Sequence, residues 1–217
     1  AVTGSVGKTS TKEMIFSVLE RGFNVLKTEK NFNNEIGLPM TLLKMNKDYS
    51  AAVVEMGMRG LGQIRYLCGI AYPTMAVVTN VGVAHMELLG SRDNICRAKL
   101  EIATYLKDGA PLILCGDDNM LSDTDKVTEI LKEYGANPRV VYFGTGDNCK
   151  YRAENIVVTD ENKYSFDVCT PNEKGKLTLN VMGKHNVLNA LAAVAVGIES
   201  GMKLDDCIIA LGNYCGD

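Results

Sequence analysis

The glycine-rich stretch near the start of the chain constrains its fold more than any other part of the sequence. Residues 3–9, here called the phosphate loop, read Thr-Gly-Ser-Val-Gly-Lys-Thr, and apolar residues at helical spacing follow directly. A glycine-rich turn that opens a helix offers unpaired N–H groups and the positive end of the helix dipole to an anion. The stretch therefore predicts a triphosphate site, with Lys8 on the β and γ oxygens and the Thr9 hydroxyl on Mg²⁺. The alternative is a glycine-rich turn that carries a surface lysine.

One position departs from the general pattern G-x-x-x-x-G-K-[ST]. Val2 stands where the first glycine is expected, and the glycine falls instead at Gly4. A loop of this kind normally follows a buried strand, and only Ala1 and Val2 precede it here. We therefore expect the sequence to be part of a longer chain.

Composition and charge limit the partners that the chain can have. Its 217 residues are 46% hydrophobic and 23% charged, which is ordinary for a globular domain, and the formal net charge is −3. This charge predicts neither nucleic acid nor a membrane surface as a partner, and no apolar run approaches the roughly 18 residues of a membrane span. The seven cysteines contain no C-x-x-C pair, a pattern typical of reduced thiols in a cytoplasmic protein.

Continuous apolar runs alternate with helical patterns along most of the chain. This alternation predicts a three-layer α/β domain with a mostly parallel sheet, and short alternating runs between residues 144 and 181 add a small antiparallel sheet. Right-handed crossovers place the loops after parallel strands on one edge, where ligands bind. That edge would carry residues 3–11, Glu55, residues 80–85, Asp117 and Asp118.

Two side chains on this edge suggest a functional site, and the first of them is a candidate metal ligand. Glu55 ends a buried strand, and a carboxylate there can hold Mg²⁺, which binds oxygen and takes only one or two ligands from protein. The alternative is a solvated carboxylate at a strand end. His85 follows another buried strand, although lone histidines are more often bonded locally. For Asp117 and Asp118, capping of the next helix is favoured over contact with the nucleotide.

Helical spacing places three polar side chains where apolar or small residues are expected. Lys99 falls inside an apolar stripe, where a lysine must reach solvent, pair with a carboxylate such as Glu101 or Asp93, or lose its charge. Asn186 and Asn189 lie one turn apart on a face that continues with small residues, where two amides can bind the edges of a flat ring. An N-cap role would explain Asn186 but not Asn189.

Five motifs lie in order along nearly the whole chain. They are the phosphate loop, Val-Glu-Met-Gly at 54–57, Thr-Asn-Val-Gly-Val-Ala-His at 79–85, Arg-Ala-Lys at 97–99 and Gly-Lys-His-Asn-Val-Leu-Asn at 183–189. Together they resemble the motifs of the Mur ligases, the ATP-dependent amide-forming enzymes of peptidoglycan synthesis. That family has the shortened T-G-x-x-G-K-T loop, which accounts for Val2. Residues 31–39 most resemble the member whose substrates are UDP-N-acetylmuramoyl-tripeptide and D-alanyl-D-alanine.

The resemblance implies ATP and Mg²⁺ as cofactors and gives roles to particular residues. Thr9 and Glu55 would hold one Mg²⁺, and His85 and Lys99 would serve a second, with Lys99 as a carbamate made with CO₂. Lys8, Lys99 and His85 would be catalytic. The ATP phosphates would bind at Thr3, Gly4, Ser5, Val6, Gly7, Lys8, Thr9 and Ser10.

Two further pairs of residues would contact the other ligands. Asn186 and Asn189 would contact the adenine end of ATP, and Asn33 and Asn34 would lie near the peptidyl substrate. The sequence Cys-Gly-Asp-Asp at 115–118 departs from the Asn-x-Asp-Asp that is usual in the family, so we assign it no role.

The resemblance also implies a domain organisation. Residues 1–217 would form the central ATP-binding domain, cut at both ends, with the N-terminal uridine nucleotide domain and the C-terminal closing domain of the same chain absent. We expect such a fragment to be inactive alone. The competing interpretations are another Mur or folylpolyglutamate-type ligase, a phosphate-loop NTPase or kinase without amide chemistry, and a fragment that only binds nucleotide.

Overall fold

Strands and helices alternate along the chain in the computed structural model, which describes residues 1–84 and 86–216. His85 lies outside the described residues. The strands are β1 Val2–Thr3, β2 Val25–Lys27, β3 Ala51–Val53, β4 Ala76–Val78, β5 Pro111–Cys115, β6 Arg139–Gly144, β7 Tyr151–Val158, β8 Lys163–Cys169 and β9 Lys174–Met182. The helices are α1 Lys8–Leu19, α2 Gly37–Leu42, α3 Gln63–Ala71, α4 Met86–Leu89, α5 Arg92–Leu100, α6 Thr124–Glu133, α7 His185–Glu199 and α8 Leu204–Asn213.

The strands form one large sheet and one small sheet that touch each other. In the part of the chain that the structure describes, the large sheet has seven strands in the order β1-β4-β5-β6-β7-β8-β9. Its pairs are parallel from β1 to β7 and antiparallel from β7 to β9. The small sheet pairs β2 with β3 in parallel. An isolated parallel bridge between Val2 and Glu55 joins the two, so the end of β3 lies beside β1.

The central strands and one helix supply the middle of the core. Strand β4 is fully buried, as are Leu112, Ile113 and Leu114 of β5, which explains their continuous apolar sequences. Helix α7 is apolar over most of its surface and packs against β5, β6, β7 and α1, because a helix that is apolar all round must be buried. Helices α1, α7 and α8 contact one another, whereas α3 contacts α2 and α5, and α5 contacts α6.

The fold class predicted from the sequence is confirmed, with one difference in connectivity. Strands β7 to β9 do not stand apart as a small sheet; β7 pairs in parallel with the end of β6, so the antiparallel strands continue the large sheet. Helix α5 ends at Leu100, and a 3₁₀ turn, Glu101–Ala103, follows it, as is common at helix ends. Among the described residues, no helix is both long and apolar enough to cross a membrane.

Candidate functional site

The backbone of the phosphate loop is shaped by its two glycines. Gly4 packs so closely on Thr79 that a Cβ there would lie 1.9 Å from the threonine Oγ1. Gly7 precedes α1 with a φ of 78°, a left-handed conformation that glycine adopts without strain. The glycine at position 4, which the general pattern does not contain, is therefore required by the approach of the neighbouring loop after β4.

The loop after β4 holds the phosphate loop in place. Val6 N donates to Asn80 Oδ1 at 3.0 Å, and Asn80 Nδ2 donates back to Val6 O at 3.0 Å. Ser5 N donates to Asn80 O at 3.1 Å, and Gly82 N donates to Ser5 Oγ at 2.9 Å. These paired bonds fix the loop between its two glycines without using the side chain of Lys8.

Lys8 lies over the phosphate loop and does not extend into solvent. Its Nζ donates to Gly4 O at 2.9 Å and approaches Ser5 O at 3.5 Å. The ammonium therefore sits against the carbonyl groups of the turn at the N-terminus of α1, where helix geometry favours an anion. This geometry does not support the alternative of a simple surface lysine.

Glu55 is buried and meets Thr9 and Asn33. It is only 2% exposed, so the interpretation as a solvated carboxylate is wrong. Thr9 Oγ1 donates to Glu55 Oε2 at 2.9 Å, and Asn33 Nδ2 donates to Glu55 Oε1 at 2.7 Å. Because both donors are uncharged, the negative charge of the carboxylate is left for a cation. A hydroxyl and a carboxylate are oxygen ligands of the kind that Mg²⁺ takes from proteins.

The two asparagines proposed to lie near a peptidyl substrate differ in what they contact. Asn33 touches Glu55, as described above. Asn34 Oδ1 accepts from Ile36 N at 3.1 Å and Gly37 N at 2.9 Å, so it stabilises the start of α2. A substrate role for Asn33 and Asn34 stays a prediction.

Lys99 is buried near the phosphate loop. It is 2% exposed, so the alternative in which its ammonium reaches solvent is wrong. Burial, and secondarily the positive charge of Lys8, lower the pKa of Lys99 to about 7, against a small opposing effect of Cys96. Its two candidate carboxylate partners are bound elsewhere. Glu101 accepts from Gly62 N and Arg65 N at the start of α3, and Asp93 pairs with Lys126.

The assignment of Lys99 to a second metal site stays a prediction. Among the residues that the structure describes, none forms a hydrogen bond or ion pair with Lys99 Nζ, and its proposed companion His85 lies outside them. Within the same residues, no group of three or more His, Cys, Asp or Glu side chains is placed to bind a metal ion.

Asn186 and Asn189 form a chain of hydrogen bonds beside the phosphate loop. Thr11 Oγ1 donates to Asn189 Oδ1 at 3.0 Å, Asn189 Nδ2 to Asn186 Oδ1 at 2.9 Å, and Asn186 Nδ2 to Met182 O at 2.8 Å. Helix α7 begins at His185 with Lys184 as its N-cap, so an N-cap role for Asn186 is wrong. The two amides connect α7 to α1 and β9, and their contact with adenine stays a prediction.

A cavity of about 550 Å³ adjoins the phosphate loop. Val6 and Gly7 line one side, and Phe143, Leu188 and Asn189 line another, so it combines apolar surface with an amide. A second cavity, of about 460 Å³, contains none of the predicted site residues. We therefore take the first as the candidate ligand cavity.

Asp117 and Asp118 line this cavity but are bonded to neighbouring loops. Asp118 Oδ2 accepts from Val81 N at 2.8 Å, and Asp117 accepts from the backbone N and the hydroxyl of Thr145 at 2.7 and 2.9 Å. The next helix, α6, is capped by Asp123 instead, so the expectation that the Asp-Asp turn caps it is wrong. Asp118 Oδ1 also accepts from Met120 N at 2.9 Å within its own turn, but the bonds to Val81 and Thr145 join residues distant in sequence, which local pattern could not reveal.

Residues outside the predicted set also support the site. Asn80 and Gly82 bind the phosphate loop, and the signal for them was present in the motif at 79–85. Thr28 Oγ1 accepts from Glu55 N at 3.0 Å, and Lys12 Nζ donates to Thr28 O at 2.7 Å. No sequence motif marks these two residues, because Thr28 is a single threonine after a short strand and Lys12 is an ordinary lysine in a helix.

Fold and site together define a phosphate-loop α/β domain. Residues 2–197 match the family model described as the Mur ligase middle domain, and the chain therefore belongs to the Mur ligase family. It is 40% identical over 205 residues to the UDP-N-acetylmuramoyl-tripeptide–D-alanyl-D-alanine ligase of Bacillus subtilis, covering 94% of this chain and 42% of the relative. The ligase of the same name from Escherichia coli is 36% identical, over 98% of this chain and 46% of its own length.

Solved structures agree with this assignment. MurF from Acinetobacter baumannii superimposes on 100% of this chain and 46% of its own with a TM-score of 0.90 at 35% identity. MurF ligase from Thermotoga maritima in complex with ADP does so over 98% and 47% with a TM-score of 0.82 at 30% identity. The chain thus spans less than half the length of these relatives.

Proposed function

We propose that this chain is the central ATP-binding domain of a ligase that joins D-alanyl-D-alanine to UDP-N-acetylmuramoyl-tripeptide in peptidoglycan synthesis. The observation that carries the proposal is the contact of Thr9 with buried Glu55 beside a phosphate loop covered by Lys8. The names of the relatives supply the substrates, and a relative solved in complex with ADP supports the nucleotide.

The site suits Mg²⁺ and the phosphates of ATP. Thr9 and Glu55 present two oxygens, and no described lysine or arginine forms an ion pair with Glu55, so a cation would be needed to balance its charge. The backbone N–H groups of residues 7–10 and the Lys8 ammonium would bind the phosphates, because the N–H groups of Ser5 and Val6 already donate to Asn80. The adenine base of ATP would enter the cavity beside the phosphate loop, near Asn186 and Asn189.

The proposed reaction proceeds through an acyl-phosphate. The tripeptide carboxylate attacks the γ-phosphorus, the bond to the β–γ bridging oxygen breaks, and ADP leaves. The amine of D-alanyl-D-alanine then attacks the acyl carbon, the C–O bond to phosphate breaks, and the amine loses a proton. Lys8 would stabilise the charge that develops on the phosphoryl oxygens. Mg²⁺, when bound, would neutralise charge on the same phosphates.

The proposed location is the cytoplasm, where the nucleotide-linked substrate and ATP would both be found. The cysteines support it in part. All seven are free thiols, as expected for a protein of a reducing compartment.

Calorimetry tests the nucleotide part of the proposal. The 217-residue chain should bind ATP and ADP, with higher affinity when Mg²⁺ is present, and should form no ligated product alone, because closure around both substrates needs further domains. An absence of Mg²⁺-dependent nucleotide binding would contradict the proposed site. Product formation by the chain alone would contradict its assignment as an incomplete unit.

A chimaera tests the ligase part. These residues would replace the matching 205-residue segment of the Bacillus subtilis relative, and ADP release would be measured with UDP-N-acetylmuramoyl-tripeptide, with and without D-alanyl-D-alanine. We expect ligated product that requires both substrates, and none from the same chimaera carrying Lys8→Ala. A chimaera that binds nucleotide and hydrolyses ATP without ligating would favour the NTPase alternative.

A further inference from the structure

Lys12 is an almost fully buried cation that the proposed function does not use. It is 1% exposed, and it lies on α1 one turn after Thr9. Its Nζ donates to Thr28 O at 2.7 Å and forms an ion pair with Glu13 Oε1 at 2.7 Å. Glu13 Oε2 is also bonded to Lys27, whose Nζ lies 4.3 Å from the centre of the Phe16 ring.

Thr28 connects this buried cation to the candidate metal ligand. Thr28 is 0% exposed and follows β2, and its backbone N donates to Val53 O at 3.0 Å. Its carbonyl accepts from Lys12, while its hydroxyl oxygen accepts from the backbone N of Glu55 at 3.0 Å. Lys12 therefore fixes Thr28, and Thr28 in turn fixes the backbone of Glu55.

The contacts close into a ring through α1. Glu55 is bound at its backbone by Thr28 and at its carboxylate by Thr9, and Thr9 and Lys12 stand one turn apart on the same helix. The helix thus contacts Glu55 directly through Thr9 and indirectly through Lys12. Two attachments to one rigid element fix the carboxylate relative to the phosphate loop.

A contribution to stability alone does not explain why a lysine is buried at position 12. Removing two charges from water costs so much that a buried ion pair is commonly no more stabilising than apolar residues of the same volume. A buried ammonium does, however, orient a carbonyl group in a way that an apolar side chain cannot. Some groups do not touch the metal but hydrogen-bond to a metal ligand and orient it. Removing such a group commonly lowers metal affinity 10- to 100-fold.

We propose that Lys12 is a positioning residue for Glu55, acting through Thr28 to place the carboxylate where it binds the cation of a Mg²⁺–nucleotide complex. The inference rests on the proposed nucleotide site. The competing explanation is that Lys12, Glu13 and Lys27 form a cluster that only attaches α1 to β2.

Four variants of the 217-residue chain separate these explanations. Lys12→Met removes the bond to Thr28, and Lys27→Met is the matched control, because it removes one positive charge from the same cluster without a side-chain contact to Thr28 or Glu55. Thr28→Val removes the hydroxyl that binds Glu55 N, and Thr28→Ser keeps it. Calorimetry would give the affinity for ADP with and without Mg²⁺, and NMR would give the hydrogen exchange rate of the Glu55 amide.

We expect Lys12→Met and Thr28→Val to reduce the enhancement of ADP affinity by Mg²⁺ about tenfold, with Mg²⁺-free affinity within about twofold of the unaltered chain. The Glu55 amide should exchange at least tenfold faster in both variants. Lys27→Met and Thr28→Ser should match the unaltered chain in both measurements.

Several results would overturn the inference. One is an unchanged Mg²⁺ enhancement in Lys12→Met, and another is an equal loss in Lys27→Met, which would assign the effect to the charge of the cluster. If Lys12→Met does not fold, an unchanged Mg²⁺ enhancement in Thr28→Val would reject the inference by itself. Failure of the unaltered chain to bind nucleotide would instead reject the proposed function, and the role of Lys12 with it.

Discussion

Two glutamates, the buried Glu55 and the partly buried Glu199, are held in opposite ways. Glu199 ends α7, and its carboxylate lies 2.7 Å from Arg139 Nη2 and 2.8 Å from both Lys150 Nζ and the Tyr151 hydroxyl. Glu55 accepts hydrogen bonds from a hydroxyl and an amide, and within residues 1–84 and 86–216 no lysine or arginine is paired with it.

The difference shows how one residue type serves two purposes. Cations of the protein already compensate Glu199, so its charge contributes to the stability of the fold. The neutral donors at Glu55 orient the carboxylate but leave its charge uncompensated, and a buried charge in that condition favours a cationic ligand. The same test, a glutamate exchanged for glutamine, should therefore affect different properties at the two positions.

The largest effect is expected from Lys8, which precedes Thr9, the residue whose hydroxyl donates to Glu55. Lys8→Ala should weaken ADP binding about 100-fold, because charge-assisted bonds to phosphate are lost, and should change the free energy of unfolding by less than about 0.5 kcal/mol. The control is Lys150→Ala, which removes a lysine that serves a protein carboxylate and should leave nucleotide affinity unchanged. Calorimetry that finds equal affinities for Lys8→Ala and the unaltered chain would reject the interpretation of the phosphate loop.

A smaller effect on binding is expected at Glu55 itself. Glu55→Gln keeps the shape of the side chain but removes the charge, so the Mg²⁺ enhancement of ADP affinity should fall about tenfold. Thermal unfolding should show little loss of stability, because no cation of the protein loses its partner among the described residues. A strongly destabilised Glu55→Gln with normal Mg²⁺ enhancement would place Glu55 in the same class as Glu199.

The smallest effect is expected at Glu199, and it should appear in stability and not in binding. Burial alone would raise the pKa of Glu199, but hydrogen bonds from Arg139, Lys150 and Tyr151 outweigh it and lower the pKa from 4.5 to about 2. The stabilisation is therefore complete above pH 4.5 and is lost as the pH falls towards 2. Glu199→Gln should cost only about 1 kcal/mol at pH 7, because its two cationic partners are partly exposed to solvent.

Acid denaturation monitored by circular dichroism provides the check. The difference in unfolding free energy between Glu199→Gln and the unaltered chain should shrink between pH 4.5 and 2, while ADP affinity at pH 7 stays equal. A difference that is constant over this range would show that the ionised form of Glu199 is not what stabilises the protein.

Sequence pattern was sufficient for the parallel part of the fold and for the meeting of Thr9 and Glu55. Buried parallel strands are continuous apolar runs, and the handedness of their crossovers places their carboxyl ends together, so strand order was not needed to predict the contact. The attachment of the antiparallel strands was not predictable in this way. It depends on β6 pairing with β7 at Phe143 and Gly144, and no local pattern specifies that pairing.

The parts of the site that sequence did not reveal depend on contacts between distant residues. Lys12 is charged and lies in a helix, which normally indicates a solvated side chain, and only the position of Thr28 shows why it is buried. Asp118 binds Val81, 37 residues away, in place of the next helix. In each case the partner was supplied by the tertiary fold.

The reciprocal bonds between Val6 and Asn80 have a consequence for the thermodynamics of binding. A flexible loop that becomes ordered around a ligand loses conformational entropy at that moment, and the affinity falls accordingly. Here that entropy is lost when the chain folds, because Asn80 and Gly82 already fix the turn. In the proposed site, phosphate would therefore meet N–H groups of residues 7–10 that are already in place, and we expect the ordering of the backbone to add little entropic penalty to binding.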